Sequence, residues 1–179
     1  VSEGIDSARA KATIGSNILV TISNSGNIDI KPRVVLFDIL SKLKFNFLGK
    51  VIKIFDSADK VPLVFIVENK GKNMIKPEGQ ITLKGNFGET AKYDIISKNI
   101  LAESQRLLEA TPSAQIGRDS LVLSGFFIGK YNLSTQISFG ENSPTIFGST
   151  TFFAFPFKIT GGVLLATLIV IFIIKRNSM

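Results

Sequence analysis

The feature that most constrains this sequence is an uncharged apolar run near its C-terminal end, residues 159–174. Eleven of these sixteen residues are Val, Leu, Ile or Phe. A helix of this length extends about 24 Å, somewhat less than the roughly 30 Å hydrocarbon core of a bilayer. Because the run has no polar face and a basic pair stops it, a membrane span is favoured over a buried core helix. We therefore predict a single transmembrane helix over residues 158–175 and a cytoplasmic tail over residues 176–179.

Residues on both sides of the run predict how its ends lie at the membrane surface. Phe152, Phe153, Phe155 and Phe157 precede it like half of an aromatic belt, and the lysine that follows them is long enough to snorkel back to the headgroups. The basic pair after the run marks the cytoplasmic end by the positive-inside rule, so the bulk of the chain is predicted to be extracellular. The predicted membrane-interface residues are Phe153, Phe155, Phe157, Lys158, Lys175 and Arg176.

The sequence contains neither cysteine nor histidine. No disulfide or zinc-thiolate site is therefore available, which for an exported domain favours a bacterial surface. The commonest general base and metal ligand is also missing, and the serines occur in no S-x-x-K or G-x-S-x-G arrangement. We predict no catalytic residues, no cofactor and no metal site, and hence no enzyme. Asp56 and Asp59 are the one local acidic pair that could form a weak calcium site, and a solvated turn is the preferred interpretation.

The net charge of +7 does not indicate a nucleic-acid partner. Three of the cations flank the apolar run, which leaves 18 basic against 14 acidic residues, or +4, for the rest of the chain. A nucleic-acid binder concentrates its cations among stacking aromatic residues. Here the lysines and arginines are scattered singly, so no nucleic acid is expected to bind.

Short apolar segments separated by turn signals run through the rest of the chain. The clearest is the alternation over residues 131–139, which is typical of a half-buried strand. Strands with turn signals every eight to twelve residues predict an all-β, Ig-like antiparallel β-sandwich. The predicted strands are 17–23, 33–39, 44–47, 51–55, 61–68, 80–84, 91–96, 104–109, 121–123, 131–139 and 145–155.

A turn motif occurs twice in the sequence, 45 residues apart. Its positions are Asn24, Gly26 and Pro32 in the first copy and Asn69, Gly71 and Pro77 in the second. The repeat fits either tandem Ig-like modules or one sandwich that follows a truncated neighbouring domain. Because 45 residues is only half the length of an ordinary sandwich, we favour the second interpretation. Residues 1–32 are then the end of an upstream Ig-like domain plus a linker, and residues 33–157 are the sandwich. We also expect this chain to be the C-terminal part of a longer protein whose export signal lies upstream.

Tyr131 follows Gly129-Lys130 at the start of a late strand. This is the position of the tyrosine corner of Ig-type sandwiches. A simple core tyrosine remains the alternative interpretation.

Several strings in the second half resemble one family of bacterial surface proteins. They are Phe-Ile-Val-Glu-Asn-Lys-Gly at 65–71, Ile-Lys-Pro-Glu-Gly at 75–79, Asn-Phe-Gly at 86–88, Gly-Lys-Tyr at 129–131 and Phe-Ala-Phe-Pro-Phe-Lys at 153–158. Over about residues 61–174 the chain is similar to the WxL-interacting, peptidoglycan-associated Ig-like family of monoderm bacteria. Ala102 stands where that family usually has proline, and phenylalanine replaces both of its tryptophans. The resemblance implies attachment to the cell envelope and binding of wall glycan or a surface partner.

These observations predict a cell-membrane protein that works by contact. The leading hypothesis is a non-enzymatic binding or structural module that contacts peptidoglycan or another envelope protein. An open strand edge suits capture of a partner by strand addition, so a chaperone-like assembly factor is the first alternative. The second is a spacer domain of a larger envelope enzyme.

Overall fold

The computed structural model describes residues 30–111, 119–140 and 143–177. Within these ranges the chain forms ten strands and one helix, so the β-rich body and the C-terminal helix expected from the sequence are both present. The elements are β1 (Pro32–Ile39), β2 (Leu43–Phe47), β3 (Lys50–Asp56), β4 (Val61–Asn69), β5 (Glu78–Gly85), β6 (Thr90–Asp94), β7 (Ser104–Leu107), β8 (Leu121–Leu123), β9 (Gly129–Ser138), β10 (Ile146–Phe155) and α1 (Phe157–Asn177). The strand predicted over residues 17–23, with Asn24 and Gly26 of the first turn motif, lies outside the described residues.

The strands form two sheets. In the smaller sheet β4 pairs with β1, and β7 and β8 pair with successive parts of β4. The larger sheet has the order β2-β3-β10-β9-β5-β6. The long strand β10 therefore lies inside the larger sheet, between β3 and β9.

One pairing corrects the prediction of a purely antiparallel fold. β10 runs parallel to β3, with Phe153 opposite Ile54 and Phe155 opposite Asp56. The two strands are about 90 residues apart in the chain, so no local turn relates them, and only the tertiary arrangement sets their relative direction. The ends of β3 and β10 consequently lie side by side, next to the start of α1.

A hydrophobic core shared by both sheets fills the space between them. Phe37 of β1 packs edge-on against Phe65 of β4, with ring centroids 5.0 Å apart. It also approaches Gly148 of β10 so closely that an added Cβ there would lie 3.0 Å from the ring. Phe152 of β10 stacks on Tyr131 of β9 at 5.2 Å. Glycine at position 148 thus lets the two sheets approach each other.

The alternation predicted for β9 is confirmed by its burial. Tyr131, Leu133 and Ile137 are buried, while Asn132 and Gln136 are exposed. Period-2 burial of this kind arises because one face of the strand packs on the core and the other faces solvent. The outer face of the larger sheet is therefore polar along β9.

A polar network also bridges the two sheets. The ammonium of Lys53 in β3 contacts the carboxylate of Asp38 in β1 and donates to Thr150 Oγ1 in β10 at 3.2 Å. Thr150 Oγ1 in turn donates to Asp38 Oδ1 at 2.9 Å. Lys53 is buried, and this desolvation lowers the pKa of its ammonium. The network supplies partners for polar groups that would otherwise be buried without them.

The strand pairings define which turns lie at the end of the body where α1 begins. Antiparallel pairing brings Gly129, at the start of β9, opposite Ala154 near the end of β10. The same register logic brings segments 40–42, 56–60 and 86–89 to this end. We call it the helix-proximal end; segment 124–128, which links β8 to β9, belongs to it as well.

Candidate membrane-proximal site

The junction between the β-rich body and α1 is very short. β10 ends at Phe155, α1 begins at Phe157, and Pro156 stands between them. Proline suits this place because its fixed φ fits a helix start and no backbone donor is lost. The Thr160 side chain donates to the Pro156 carbonyl oxygen at 2.7 Å and secures the first turn. The helix α1 therefore continues almost directly from a central strand.

The carboxylate of Asp56 caps the beginning of α1 from a distant part of the chain. The Lys158 backbone N–H donates to Asp56 Oδ2 at 2.9 Å, and the Ala58 N–H donates to Oδ1 at 3.2 Å. The first N–H groups of a helix have no intrahelical acceptor, and an anion there also interacts favourably with the helix dipole. Asp56 therefore performs the role of an N-cap, although it precedes the helix by about 100 residues.

Burial and charge agree with this role. Asp56 is only 1% exposed. The backbone hydrogen bond from Lys158 is the main cause that lowers the pKa of the Asp56 carboxyl; burial opposes it, and the Ala58 N–H and the Lys158 charge add to the lowering. The interpretation of this residue as part of a solvated turn is therefore wrong. The described residues contain no cluster of three or more His, Cys, Asp or Glu side chains that could hold a metal ion.

Lys158, whose predicted place at the headgroups stays a prediction, has carboxylate partners in the structure. Its ammonium contacts the Asp59 carboxylate and lies 3.9 Å from Asp56 Oδ1. The β3–β4 turn thus binds both the backbone and the side chain of the same helical residue. Two elements far apart in sequence are joined at the point where the body meets the helix.

The remaining predicted interface residues lie along β10 and α1. Phe153, Phe155 and Phe157 are all partly or largely exposed. Lys175 and Arg176 occupy the last turn of α1, about 27 Å from Phe157 at 1.5 Å per residue. The helix is long and apolar enough to cross a membrane, and none of its described side chains is buried.

The helix-proximal end also carries exposed apolar side chains that the sequence analysis did not identify. Phe87 is in the β5–β6 turn, and Phe126 and Ile128 are in the β8–β9 segment. Their exposed fractions are 75%, 58% and 43%. Phe87 precedes Gly88, and Phe126 follows Gly125. A large apolar side chain next to a glycine in a predicted turn is the sequence signal that indicates such exposed residues.

A cavity of about 290 Å³ lies beside the helix start, between the β3–β4 turn and β2. Phe157 and Leu43 form part of its apolar wall, and Lys42 and Lys60 line it together with Asp59. The helix-proximal end is therefore apolar with basic side chains among the apolar ones.

The second copy of the turn motif has a structural explanation. Asn69, at the end of β4, is fully buried. Its side-chain Nδ2 donates to the carbonyl oxygens of Asn73 (2.7 Å) and Leu101 (3.0 Å), and its Oδ1 accepts from the Gly71 N–H at 3.0 Å. Because these bonds satisfy the amide, it organises the loop opposite the helix-proximal end and has no free group for a ligand.

The two prolines of the motif lie in different places. Pro32, the first residue of β1, pairs with Asn69. The carbonyl oxygen of Pro77 accepts from the Ser97 hydroxyl at 2.5 Å. The described positions of the repeated motif therefore lie at one end of the β1–β4 pair and in the loop that follows β4.

Tyr131 lies at the helix-proximal start of β9. Its hydroxyl oxygen accepts from the Ile128 N–H at 3.2 Å, three residues upstream, and donates to Glu89 Oε1 at 3.3 Å. Its ring packs in the core against Phe127 and Phe152. The side chain thus ties the β8–β9 segment to the β5–β6 turn.

The outer face of the larger sheet contains a shallow groove of about 470 Å³ across β5, β9 and β10. Amides and hydroxyls line most of it, and the ring of Phe147 is 67% exposed at its side. The polar lining includes Gln80, Thr82, Ser134, Gln136 and Ser138. Such a surface can exchange neutral hydrogen bonds with a polar ligand and can stack a ring against an apolar ligand face.

Comparison with known proteins places the chain in no family. No family model and no curated protein matches it. Among solved structures it is similar to the alkylpurine DNA glycosylase AlkC of Pseudomonas fluorescens bound to DNA containing an abasic-site analogue, at 9% identity and a TM-score of 0.44. The match covers 69% of this chain and 30% of the glycosylase. A likeness at this level carries no argument about fold or activity, and the resemblance to the WxL-interacting family stays a prediction.

Proposed function

We propose that this protein is a single-pass, non-enzymatic module of the bacterial cell envelope. Its β-rich body, in our view an Ig-like sandwich, stands on the outer face of the cell membrane and contacts peptidoglycan or another surface protein. The observation that carries this proposal is the junction at Asp56, where the body itself caps a 21-residue apolar helix. A helix held in this way is a fixed support for the body.

The orientation follows from charge. Lys175 and Arg176 lie in the last helical turn, and basic residues next to a span favour the cytoplasmic side. Because the chain contains no cysteine, a single cysteine introduced at Lys72 or at Asn177 is labelled without interference from other thiols of the chain, and its labelling reports the topology. A membrane-impermeant maleimide applied to intact cells should label Lys72→Cys and leave Asn177→Cys unlabelled. The reverse pattern would refute an external body.

The polar groove supports peptidoglycan as the ligand. Amino-sugar chains present hydroxyl and amide groups together with apolar ring faces, and the groove pairs Gln80, Gln136 and Ser134 with the exposed ring of Phe147. Amide and hydroxyl groups, together with the carboxylate of Glu78 and one aromatic ring, suit a ligand of this chemistry. No proton transfer is needed for such contact, which agrees with a binding role.

The direct test is co-sedimentation of the full chain, in detergent micelles, with purified peptidoglycan. We expect the wild type to be retained and Phe147→Ala and Gln136→Ala to lose most of the retention. Phe47→Ala is the matched control, because Phe47 is exposed to a similar extent (63%) but belongs to β2, outside the groove. Absence of wild-type retention would refute peptidoglycan as the ligand.

A specific observation favours protein capture as the second candidate. β2 ends the larger sheet and, among the described strands, pairs only with β3. Phe45 and Phe47 are largely exposed on it, and an open apolar edge is a template for strand addition by a partner. This assembly role would be supported if the immobilised protein retained envelope proteins but no peptidoglycan, and if Phe45→Pro abolished that retention.

A further inference from the structure

We propose that the helix-proximal end of the body is itself a membrane-contacting surface. In this arrangement the side chains of Phe87, Phe126 and Ile128 insert into the headgroup layer of the outer leaflet, beside the point where α1 enters it. The inference rests on the proposed membrane span and adds to the helix two further membrane-contacting segments, the β5–β6 turn and segment 124–128. The occupant of this surface is the bilayer.

The pairing register places these side chains close to the helix. Gly129 pairs with Ala154, which is three residues before α1 begins. An added Cβ at Gly129 would lie 3.4 Å from the ring of Phe87, so the β5–β6 turn adjoins the start of β9. Phe126 and Ile128 immediately precede that start. Both segments thus lie at the same end as the first turn of the helix.

The length of the apolar run indicates how deep this end must lie. Residues 159–174 extend about 24 Å, roughly 6 Å less than the hydrocarbon core. Lys175 and Arg176 resist insertion at the other end, and the apolar side chains of Phe155 and Phe157 supply additional apolar length on the side of the body. Asp56 holds the body to the first turn of α1 at 2.9 Å, and the body must therefore follow the helix down to the interface.

The chemistry of this end suits an interfacial location. The three exposed side chains are apolar, and Lys42, Lys60 and Lys130 belong to the segments around them. Lysines beside apolar side chains are typical of surfaces that bind anionic leaflets. The nearby carboxylates have other partners: Glu89 accepts from the Phe87 N–H at 3.1 Å and from Tyr131, and Asp59 pairs with Lys158. Four lysines (Lys42, Lys60, Lys130 and Lys158) stand against three carboxylates (Asp56, Asp59 and Glu89) at this end, so its net charge is +1 and does not repel anionic headgroups.

The absence of tryptophan from the sequence allows a direct measurement. Single variants Phe87→Trp and Phe126→Trp of the full chain are reconstituted into vesicles of phosphatidylcholine and anionic phosphatidylglycerol. The matched control is Phe147→Trp. The exposed fraction of Phe147 (67%) is similar to those of Phe87 and Phe126, but Phe147 lies about 26 Å along β10 from Phe155 at the helix-proximal end. We expect blue-shifted emission and at least a twofold loss of intensity with brominated lipids at positions 87 and 126, and neither effect at 147. Water-like, unquenched emission at both 87 and 126 would overturn the inference.

A fourth variant separates this inference from the function on which it rests. Ile169→Trp is near the middle of α1 and should be strongly quenched by bromines placed deep in the acyl chains. Quenching at 169 without quenching at 87 and 126 would refute the membrane-contacting surface and leave the span intact. No quenching at 169 would refute both. Far-UV circular dichroism of each variant confirms that the β signal is retained, and two independent positions guard against one variant that fails to fold.

Discussion

Replacing Phe152 with alanine tests the packing of β10, the strand that leads into α1. Phe152 is fully buried, and its ring lies 5.2 Å from Tyr131, 5.6 Å from Phe55 and 5.8 Å from Phe127. Truncation of a buried phenylalanine costs about 3–5 kcal/mol. Because three aromatic rings contact Phe152, we expect the upper part of this range, a loss of about 4–5 kcal/mol in the free energy of unfolding.

The measurement is urea unfolding of the full chain in detergent micelles, followed by the β signal in circular dichroism. With a denaturant dependence of about 2 kcal/mol per molar urea, the midpoint should fall by about 2 M. Total stabilities of about 5–15 kcal/mol leave the variant folded but weakened. Phe147→Ala is the matched control, since Phe147 is on the same strand and largely exposed, and we expect a change within about 0.5 kcal/mol.

Equal effects of the two substitutions would refute the reasoning. They would mean that Phe152 does not lie on the inward face of β10. The strand register that places Phe155 next to the start of α1 would then be wrong as well. A loss below about 1 kcal/mol for Phe152→Ala would have the same meaning, because surface substitutions fall in that range.

Three further changes probe the junction and the contact between the sheets. The fold lowers the pKa of the Asp56 carboxyl. The ionised carboxylate should therefore stabilise the folded state fully above the ordinary carboxyl pKa, and this contribution should be lost as the pH falls through the lowered pKa. We expect Asp56→Asn to reduce the pH dependence of the urea midpoint between about pH 6 and about pH 3. Asp38→Asn leaves the buried Lys53 without its anionic partner, and we expect a loss of about 1–3 kcal/mol, measured as a lower thermal midpoint; an unchanged midpoint would contradict a role for the network. Gly148→Ala should cost about 1–3 kcal/mol, because the added Cβ meets Phe37 at 3.0 Å, and a urea titration that matches the wild type would show that the sheets can separate freely.

The features that could be predicted from the sequence are those written in short-range patterns. The alternation along β9 gave its buried face, because a half-buried strand repeats every two residues. The run at residues 159–174 gave the helix, because neither charge nor a polar face interrupts it. Turn signals bounded most of the strands, and the ends of the observed β5 and β10 differ from their predicted positions by at most two residues.

The parts that could not be predicted depend on residues far apart in the chain. The segment from Asp56 to Lys60 is small, polar and charged, as solvated turns are, and nothing local shows that one of its carboxylates binds a helix about 100 residues later. Phe87 and Phe126 lie in glycine-containing turns. The neighbouring residues predict a turn at each place and do not show which end of the body the turn occupies. Only the strand register shows that both turns lie at the same end of the body as α1.

The parallel pairing of β3 with β10 explains why the junction exists at all. An antiparallel neighbour would have directed the end of β3 away from the membrane and its turn with it. The parallel register sets Asp56 opposite Phe155, three residues before Lys158, and the carboxylate therefore meets the first free N–H groups of the helix. A flexible tether would require neither this pairing nor a buried cap. β10 is also an inner strand that borders the polar groove. Under the proposed function, a ligand bound in this groove would pull on a strand that continues into α1, and the membrane would resist that force.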